Sequence, residues 1–212
     1  MCRLFVAFGA VPGFNMNGFF SFHGKGAKAK GAPSPTPAAS APSAKTAPPP
    51  AAELLELQGD TWRVWNFVDK KDIVKLSEAT MRQKVQIRDC KKVAIQIDSK
   101  VNSVIIDNCE ELRLCVSSLI SGAEFVNCRK VKFQVTGVCP SIAIDKCSGV
   151  DLFLSKDSKE TEITTSKSGE MNVNFPKDGA DGDWVELPIP EQFHHRIKDG
   201  SLDTRVSELY SR

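Results

Sequence analysis

Four of the seven cysteines in this 212-residue chain recur at a fixed interval of 19 positions. They are Cys90, Cys109, Cys128 and Cys147. Thiols in such a row could form disulfides or bind zinc, because residues one repeat apart in a stack lie within disulfide distance. Zinc is not favoured, since no Cys-x-x-Cys pair occurs and the histidines lie outside the row, at His23, His194 and His195. The row is therefore predicted to be a reduced, inert line of small buried side chains in a cytosolic protein.

Cys115 and Cys139 lie outside this row. No histidine lies near either of them in the sequence to serve as the base of a nucleophilic thiolate. We place Cys115 beside Leu114, either in the core or in solvent, and Cys139 in a turn before Pro140. Neither is predicted to be a nucleophile, and no catalytic residue, metal or cofactor is predicted.

The residues around the four cysteines repeat as well. Aligned on the cysteine, they are VQIRDCKKVAIQI, VIIDNCEELRLCV, AEFVNCRKVKFQV and IAIDKCSGVDLFL. Apolar residues, many of them β-branched, alternate with polar ones at −5 and −3 and again at +3, +5 and +7, which indicates β-strands. The alternation changes phase at the cysteine, so each repeat is predicted to hold two short strands joined by a bend. A period of about 20 residues is typical of a solenoid, and the fold class predicted is an all-β, parallel β-helix.

The interval of the cysteine row extends the pattern beyond the cysteines. It gives Val68, Val74 and Leu76 before the row, and Ile163, Met171 and Val173 after it. The prediction is six coils over roughly residues 66–175. We expect residues 54–67, with Trp62 and Trp65, to cover the first coil, and residues 175–193, with Trp184 and Phe193, to cover the last.

Three regions are predicted from composition. Residues 1–52 hold five basic residues and no acidic one, whereas residues 53–212 hold 23 basic and 26 acidic residues and form the β-helix domain. Residues 24–52 are mostly Ala, Pro, Ser, Gly and Lys, a composition that cannot form a core and predicts a disordered linker. Residues 1–23 are a tail in which Cys2 is a candidate for S-acylation and membrane association. Met16 is a possible second start that would lack this cysteine. No nucleic-acid partner is predicted.

Several strings along the chain are similar to a known family. They are LELQGDTWRVWN, KVNSVIIDNC, FLSKDSKETEI, KSGEMNV and PIPEQF, in this order from about Leu54 to Leu209. The chain resembles the C-terminal domain of cyclase-associated protein. The resemblance implies a right-handed parallel β-helix of six coils that dimerises through C-terminal strands, binds monomeric actin with preference for its ADP form, and promotes exchange to ATP without being an enzyme. The family's helical N-terminal half and its basic LKK-type motif have no counterpart here, so the chain is interpreted as a shortened member.

The resemblance also implies sites. The candidate actin-binding residues are Lys100, Asn102 and Ser103 at the corner leading into the third coil, with Lys167, Ser168, Glu170 and Asn172 around the inward Met171. The candidate dimerisation residues are Leu202, Thr204, Val206 and Leu209, on a tail strand that we expect to lack a partner within its own chain. The expected location is the cytoplasm, associated with the cytoskeleton, or the membrane if Cys2 is acylated.

Two other functions are less favoured by the residues. A β-helix that acts on carbohydrates needs clustered carboxylates, and Asp89 and Asp107, followed by Asn127 and Lys146, are better explained as a row of turn residues. A β-helix that activates a GTPase, as in tubulin cofactor C, needs an inserted arginine. Arg129 is the only candidate, and its counterparts Lys91, Glu110 and Ser148 share no chemistry with it.

Overall fold

The computed structural model describes residues 52–177 and 183–210. The predicted tail, almost all of the predicted linker and the candidate Cys2 lie outside these residues. Fourteen strands and two short 3-10 helices, Lys156–Ser158 and Glu208–Tyr210, form the described part. The strands are β1 Leu54–Gln58, β2 Thr61–Trp65, β3 Val74–Leu76, β4 Lys84–Arg88, β5 Ala94–Asp107, β6 Arg113–Val126, β7 Arg129–Val135, β8 Ser141–Asp145, β9 Ser148–Phe153, β10 Glu162–Ser166, β11 Gly169–Pro176, β12 Trp184–Pro188, β13 Phe193–Lys198 and β14 Ser201–Val206. In this described part, no helix has the length and apolar character needed to cross a membrane.

The strands stack in parallel as six coils, which confirms the predicted β-helix. Two columns of strands run along the stack. Sheet 1 is formed by β2, β4, the second halves of β5 and β6, β8 and β10. Sheet 2 is formed by β3, the first halves of β5 and β6, β7, β9 and β11. An antiparallel strand closes each end of the stack, β1 on β2 and β12 on β11.

The core lies between the two sheets, where the alternating apolar residues meet. Every inward position predicted in the four cysteine repeats is at most 5% exposed. In the fourth coil the rings of Phe125 and Phe133 meet edge to face, with centroids 5.2 Å apart. The period-two pattern therefore identified the inward side of each strand correctly, because a strand presents alternate residues to opposite faces.

The corner between sheet 1 and sheet 2 has the same backbone in every coil. The residue before the cysteine and the second residue after it both have positive φ. These pairs are Asn66/Asp69, Asp89/Lys92, Asn108/Glu111, Asn127/Lys130, Lys146/Gly149 and Lys167/Glu170. The amide of the first residue donates to the next coil, as in the 3.0 Å bond from Asn108 to the carbonyl of Val126. Two left-handed residues around one inward side chain explain why the alternation changes phase here.

The cysteine row is buried, as predicted, and its thiols are free. Each thiol donates to the carbonyl two residues before it, at 3.2–3.3 Å. Hydrogen bonds from neighbouring thiols and burial raise the pKa of Cys109 and of Cys147. The row continues into the outer coils as Phe67 and Ser168, and the Ser168 hydroxyl accepts from the amide of Cys147 at 3.0 Å. Cys115 and Cys139 are also buried, and burial raises the pKa of Cys139 to about 11.

The first coil is longer than the four central ones, so the interval of the cysteine row gives the wrong register there. That interval would pair Val74 with Val93, whereas Val74 pairs with Ile95. Val68, which the same interval places in the core, is exposed and bridges to Lys91. The extra residues therefore move the inward positions of this coil along the chain.

The last coil is shifted in the same way. The interval of the cysteine row would pair Ile163 with Ile144, but Ile163 pairs with Ile142. Both Ile163 and Val173 still pack against the core, and Met171 is buried, as predicted. The inward side was thus predicted correctly here although the register was not.

The two ends of the stack differ in part from the prediction. Trp62 packs against the core and donates to Gln83 at 3.0 Å, but Trp65 points outward, with the guanidinium of Arg63 4.8 Å from its ring. At the other end Trp184 meets Phe153 edge to face at 6.3 Å, as a covering residue would. Phe193 does not cover this end, because it begins β13 and is 46% exposed.

The tail strand β14 has a partner in its own chain, so the expectation that it lacks one is wrong. It pairs antiparallel with β13 to form a two-stranded sheet, separate from the stack, that we call the hairpin (residues 193–206). Asp199 and Gly200 form its two-residue turn, and both have positive φ, which is typical of a type I′ turn. All twelve strand residues of the hairpin are exposed.

Candidate functional site

The first group of candidate residues lies where the chain enters sheet 1 in the third coil. Lys100 is exposed, whereas Asn102 and Ser103 are half-buried. The Asn102 amide donates to the carbonyl of Gln83 at 2.8 Å, and its side-chain oxygen accepts from the hydroxyl of Ser121 at 3.0 Å. Asn102 therefore joins neighbouring coils, and Lys100 is the member of this group with an exposed charged group.

The second group lies at the corner of the sixth coil. Lys167 and Glu170 are its two left-handed residues and are exposed. Ser168 is the last member of the cysteine row, and its hydroxyl donates to Ser166 at 2.8 Å, so its contacts are internal. The carboxylate of Glu170 accepts from Ser148 at 2.9 Å, and Asn172 lies 3.4 Å from Asp151. Lys167 and Glu170 are thus the exposed charges of this corner.

The structure does not bring the two groups into contact but places them along one surface. Ser103 begins the third strand of sheet 1, and Lys167 directly follows its last strand, β10. Between them the outer face of sheet 1 holds a shallow depression of about 360 Å³. Small residues line much of it, with the carboxylates of Glu124 and Glu162; the small ones are Ser103, Ser121, Gly122, Ser141 and Ala143. We call this depression and its flanking corners the sheet 1 surface.

Gly122 gives the depression its shape. Its φ of 150° and its position leave no room for a side chain, because a Cβ there would overlap the carbonyl oxygen and the hydroxyl of Ser141. The Ser141 hydroxyl donates to the carbonyl of Ser121 at 2.9 Å. The fourth and fifth coils can therefore approach closely at this point.

Charged side chains at the corners pair from coil to coil. Arg88 donates to Asp107 at 2.9 Å, and Lys91 lies 2.6 Å from Glu110. The ion pair raises the pKa of Lys91 and lowers the pKa of Glu110. Arg129 follows Lys91 and Glu110 in the same row of bridges, so the alternation of charge accounts for it. The GTPase-activating alternative, which depended on Arg129, is not favoured.

The carboxylates considered for an enzyme have structural partners. Asp89 accepts a hydrogen bond from Asn108, and Asp107 binds Arg88, so the two do not form a free catalytic pair. Within residues 52–177 and 183–210, no group of three or more Cys, His, Asp or Glu is arranged to hold a metal ion. The contacts of Asp89 and Asp107 therefore join neighbouring coils.

The hairpin has one apolar and one charged face. The apolar face holds Phe193, His195, Ile197, Leu202, Thr204 and Val206, and the opposite face holds His194, Arg196, Lys198, Ser201, Asp203 and Arg205. Ile197 is 84% exposed and Leu202 is 67% exposed. The candidate dimerisation residues Leu202, Thr204 and Val206 thus share one exposed face, and Leu209 is exposed in the 3-10 helix that follows.

Glu191 attaches the hairpin to the second group of candidate residues, a role that the sequence reasoning missed. Its carboxylate accepts from the amide of Glu170 at 2.7 Å. Gly169 leaves room for this approach, because a Cβ there would overlap the carboxylate and Glu191 would have to shift. Desolvation and a hydrogen bond to Glu191 raise the pKa of Tyr210. The only sequence signal for this contact was the string PIPEQF, which the sequence reasoning used only as part of the family resemblance.

The part of this chain that is similar to known proteins is the part that forms the stack and the hairpin. A family profile described as "Adenylate cyclase associated (CAP) C terminal" matches residues 51–209. Human "Adenylyl cyclase-associated protein 2" is 42% identical over 177 residues, which are 84% of this chain and 35% of the relative. The "Adenylyl cyclase-associated protein" of Dictyostelium discoideum is 44% identical over 161 residues, 76% of this chain and 34% of the relative. The chain thus spans about a third of the length of these relatives.

A solved structure shows the same fold. The crystal structure of cyclase-associated protein from Cryptosporidium parvum superimposes with a TM-score of 0.70 and 41% sequence identity, covering 74% of this chain and 96% of that one. The sequence resemblance and the six-coil stack therefore lead to one conclusion: the chain belongs to the family of cyclase-associated protein C-terminal domains.

Proposed function

We propose that this protein binds monomeric actin and promotes the exchange of its bound ADP for ATP, which returns monomers to filament assembly. The observation that carries the proposal is the family match, which extends over residues 51–209 and includes both groups of candidate residues. On this proposal no group of the chain performs chemistry, and the protein acts by binding alone. The expected location is the cytoplasm, in association with the cytoskeleton.

The sheet 1 surface is the proposed actin-binding face. It belongs to a stack whose coils are joined by continuous hydrogen bonds and corner ion pairs, so it is rigid enough to hold a partner without rearranging. Exposed Lys100, Lys167 and Glu170 lie at the flanking corners. The depression between them exposes small side chains and the carboxylates of Glu124 and Glu162. A flat surface with charged edges suits a protein partner better than a small molecule.

Exchange can follow from binding alone. Actin holds its nucleotide in a cleft, and a ligand shifts a conformational equilibrium only by its difference in affinity for the two states. A rigid surface that binds the state with the more open cleft more tightly increases the rate of nucleotide release. A preference for ADP-actin over ATP-actin would arise in the same way. By reciprocity, the bound protein would then weaken the binding of ATP to actin relative to that of ADP by the same factor. The faster release of ADP must therefore come from the open state of the cleft itself.

A second copy of this chain is the proposed partner of the hairpin. An isolated two-stranded hairpin is marginally stable in water, and this one exposes four large apolar side chains on one face: Phe193, Ile197, Leu202 and Val206. That face carries no Asp, Glu, Lys or Arg, so two copies of it can meet about a two-fold axis without like-charge repulsion. Deleting residues 201–212 should then give a monomer by light scattering, and an unchanged mass would count against the hairpin as the interface.

The experiment that tests the function is exchange of a fluorescent ATP analogue on purified ADP-actin, with and without the full chain. The variant Lys167→Glu with Glu170→Ala changes two exposed charges of the proposed face. The matched control is Lys156→Glu with Glu160→Ala, which changes the same kinds of charge in the segment between β9 and β10. We expect slower exchange from the first double variant and wild-type exchange from the control, with the dimer and the circular dichroism spectrum unchanged in both.

The outcomes separate the elements of the proposal. Normal exchange from the Lys167/Glu170 variant would place the actin face elsewhere on the stack. Absence of both exchange and actin binding in the wild type would overturn the function, and a parallel pull-down with tubulin would show whether the GTPase-activating alternative replaces it. Membrane association through acylated Cys2 is a separate proposal, and a Cys2→Ser variant with an unchanged membrane fraction would refute it.

A further inference from the structure

The apolar face of the hairpin contains one histidine. His195 lies at the middle of β13, between Phe193 and Ile197 on the same face. Its ring stacks at 6.5 Å on the ring of Phe193, and its Nδ1 shares a hydrogen bond of 2.9 Å with the hydroxyl of Thr204 across the hairpin. Apart from Thr204, the other members of this face are apolar, so any partner that covers the face also covers this imidazole.

The charged side chains of the two hairpin strands lie on the opposite face from His195. On β13 they are His194, Arg196 and Lys198, and on β14 they are Asp203 and Arg205. Arg196 and Asp203 already form an ion pair of 3.8 Å across that face. Toward His195, β14 presents only Leu202, Thr204 and Val206. On the face of His195, the two strands therefore offer no carboxylate to balance a positive charge, since Asp203 lies on the opposite face and Asp199 lies in the turn.

We propose that His195 makes association of two copies of this chain through the hairpin sensitive to pH, with the dimer weakened as the solution becomes mildly acidic. The inference rests on the dimer proposed above and adds to it a group that controls its stability. Histidine changes charge between about pH 5 and 8. A neutral imidazole bonded to Thr204 fits an apolar interface, whereas an imidazolium loses its hydration there without gaining a counter-ion.

The direction and the size of the effect follow from linkage. Because the dimer favours the neutral ring, association releases protons when the free chain is protonated, and the dimer dissociation constant rises as the pH falls. Two-fold symmetry places one His195 from each copy in the interface. The logarithm of the dissociation constant can therefore change by up to about two for each pH unit. Between pH 7.5 and pH 5.5 we expect an increase of at least about tenfold.

The test is the dimer dissociation constant of the full chain, measured by sedimentation equilibrium at pH 7.5 and pH 5.5, with circular dichroism as the check on the fold. His195→Gln keeps a neutral hydrogen-bonding group opposite Thr204 and should change by less than about twofold between the two pH values. The chain has three histidines, so His194→Gln and His23→Gln complete the set of controls. His194 is adjacent in sequence but on the opposite face, and its variant should keep the wild-type pH dependence.

Each outcome is decisive. Equal dissociation constants at the two pH values in the wild type would overturn the role of His195 and leave the dimer standing. A pH dependence that persists in His195→Gln, or that disappears in His194→Gln, would assign the effect to another group and also overturn the inference. A wild type that is monomeric at pH 7.5 at every concentration would remove the dimer itself, and the role of His195 with it.

Discussion

Replacing Gly122 by alanine should destabilise the stack more than a glycine substitution normally does. The new Cβ would overlap the carbonyl oxygen and the hydroxyl of Ser141 and lie 3.0 Å from its carbonyl carbon. Backbone cannot move aside as a flexible side chain can, so the fourth and fifth coils must separate. Overpacking of this kind costs about 1–3 kcal/mol, and the backbone strain of alanine at a φ of 150° adds about 1–2 kcal/mol. The expected loss in the free energy of unfolding is about 2–5 kcal/mol.

Gly149→Ala is the matched control for this prediction. Gly149 also has positive φ, at 73°, but its nearest neighbours would be ordinary contacts at 3.5 Å on Lys130. The equivalent corner position holds Lys92, Glu111 and Lys130 in three other coils, so a side chain is tolerated there. Gly149→Ala should therefore cost only the backbone term, about 1 kcal/mol. Urea unfolding of both variants, with equal m-values, measures the difference. Equal losses would refute the close approach of the two coils at Gly122.

Four further predictions concern the core, the thiols and the attachment of the hairpin. Ile106→Asp should lower the free energy of unfolding by about 3 kcal/mol or more because Ile106 is fully buried, whereas Ile105→Asp on the outer face should cost less than about 1 kcal/mol in the same urea titration. Iodoacetamide at pH 8 should leave the six described cysteines unmodified until urea is added, as measured by peptide mass spectrometry. Because the pKa of Cys139 is raised to about 11, its stabilising contribution should be complete below about pH 8.5 and should be lost as the pH rises toward about 11. Cys139→Ala should make the alkaline decline in stability smaller but not abolish it, because the pKa values of Cys109 and Cys147 are raised as well. Glu191→Ala should speed amide exchange in the hairpin (residues 193–206) and leave the central strands protected, whereas Glu186→Ala on β12 should change neither. Uniformly faster exchange in the Glu191 variant would contradict its role as a local attachment.

The central coils could be predicted from the sequence because each repeat has the same length and the same alternation. The outer coils could not, because their extra residues lie between the strands, where no apolar period marks them. The interval of the cysteine row places Val68 beside Ile87, whereas in the structure Val68 bridges to Lys91 and Val64 pairs with Ile87. The phase change located the corners, but lysine and glutamate at positive φ have no sequence signature of their own.

The hairpin shows a signal that was present and not used. Lys198-Asp199-Gly200-Ser201 contains the Asp-Gly pair that favours a two-residue turn between alternating strands. The expectation that Phe193 covers the end of the stack leaves no strand to pair with β14, whereas in the structure Phe193 begins β13, the partner of β14. Among the candidate site residues, exposed Lys100, Lys167 and Glu170 could be inferred from polar alternation. The internal contacts of Ser168 could not, because they depend on its place in a row that is otherwise cysteine.

The pairing of each coil with the next has a consequence for how the chain folds. Contacts between neighbouring coils join residues about one repeat apart, and each coil pairs only with the coils beside it. Closing a loop of that size has a modest entropic cost, and it is nearly the same wherever along the stack it occurs. The four central coils, which have the most regular length and the most completely buried side chains, are the natural place for a nucleus. Growth would then proceed outward in both directions, with the longer end coils and the hairpin ordering last. The part of the chain proposed to recognise a second copy would therefore be complete only after the stack has formed.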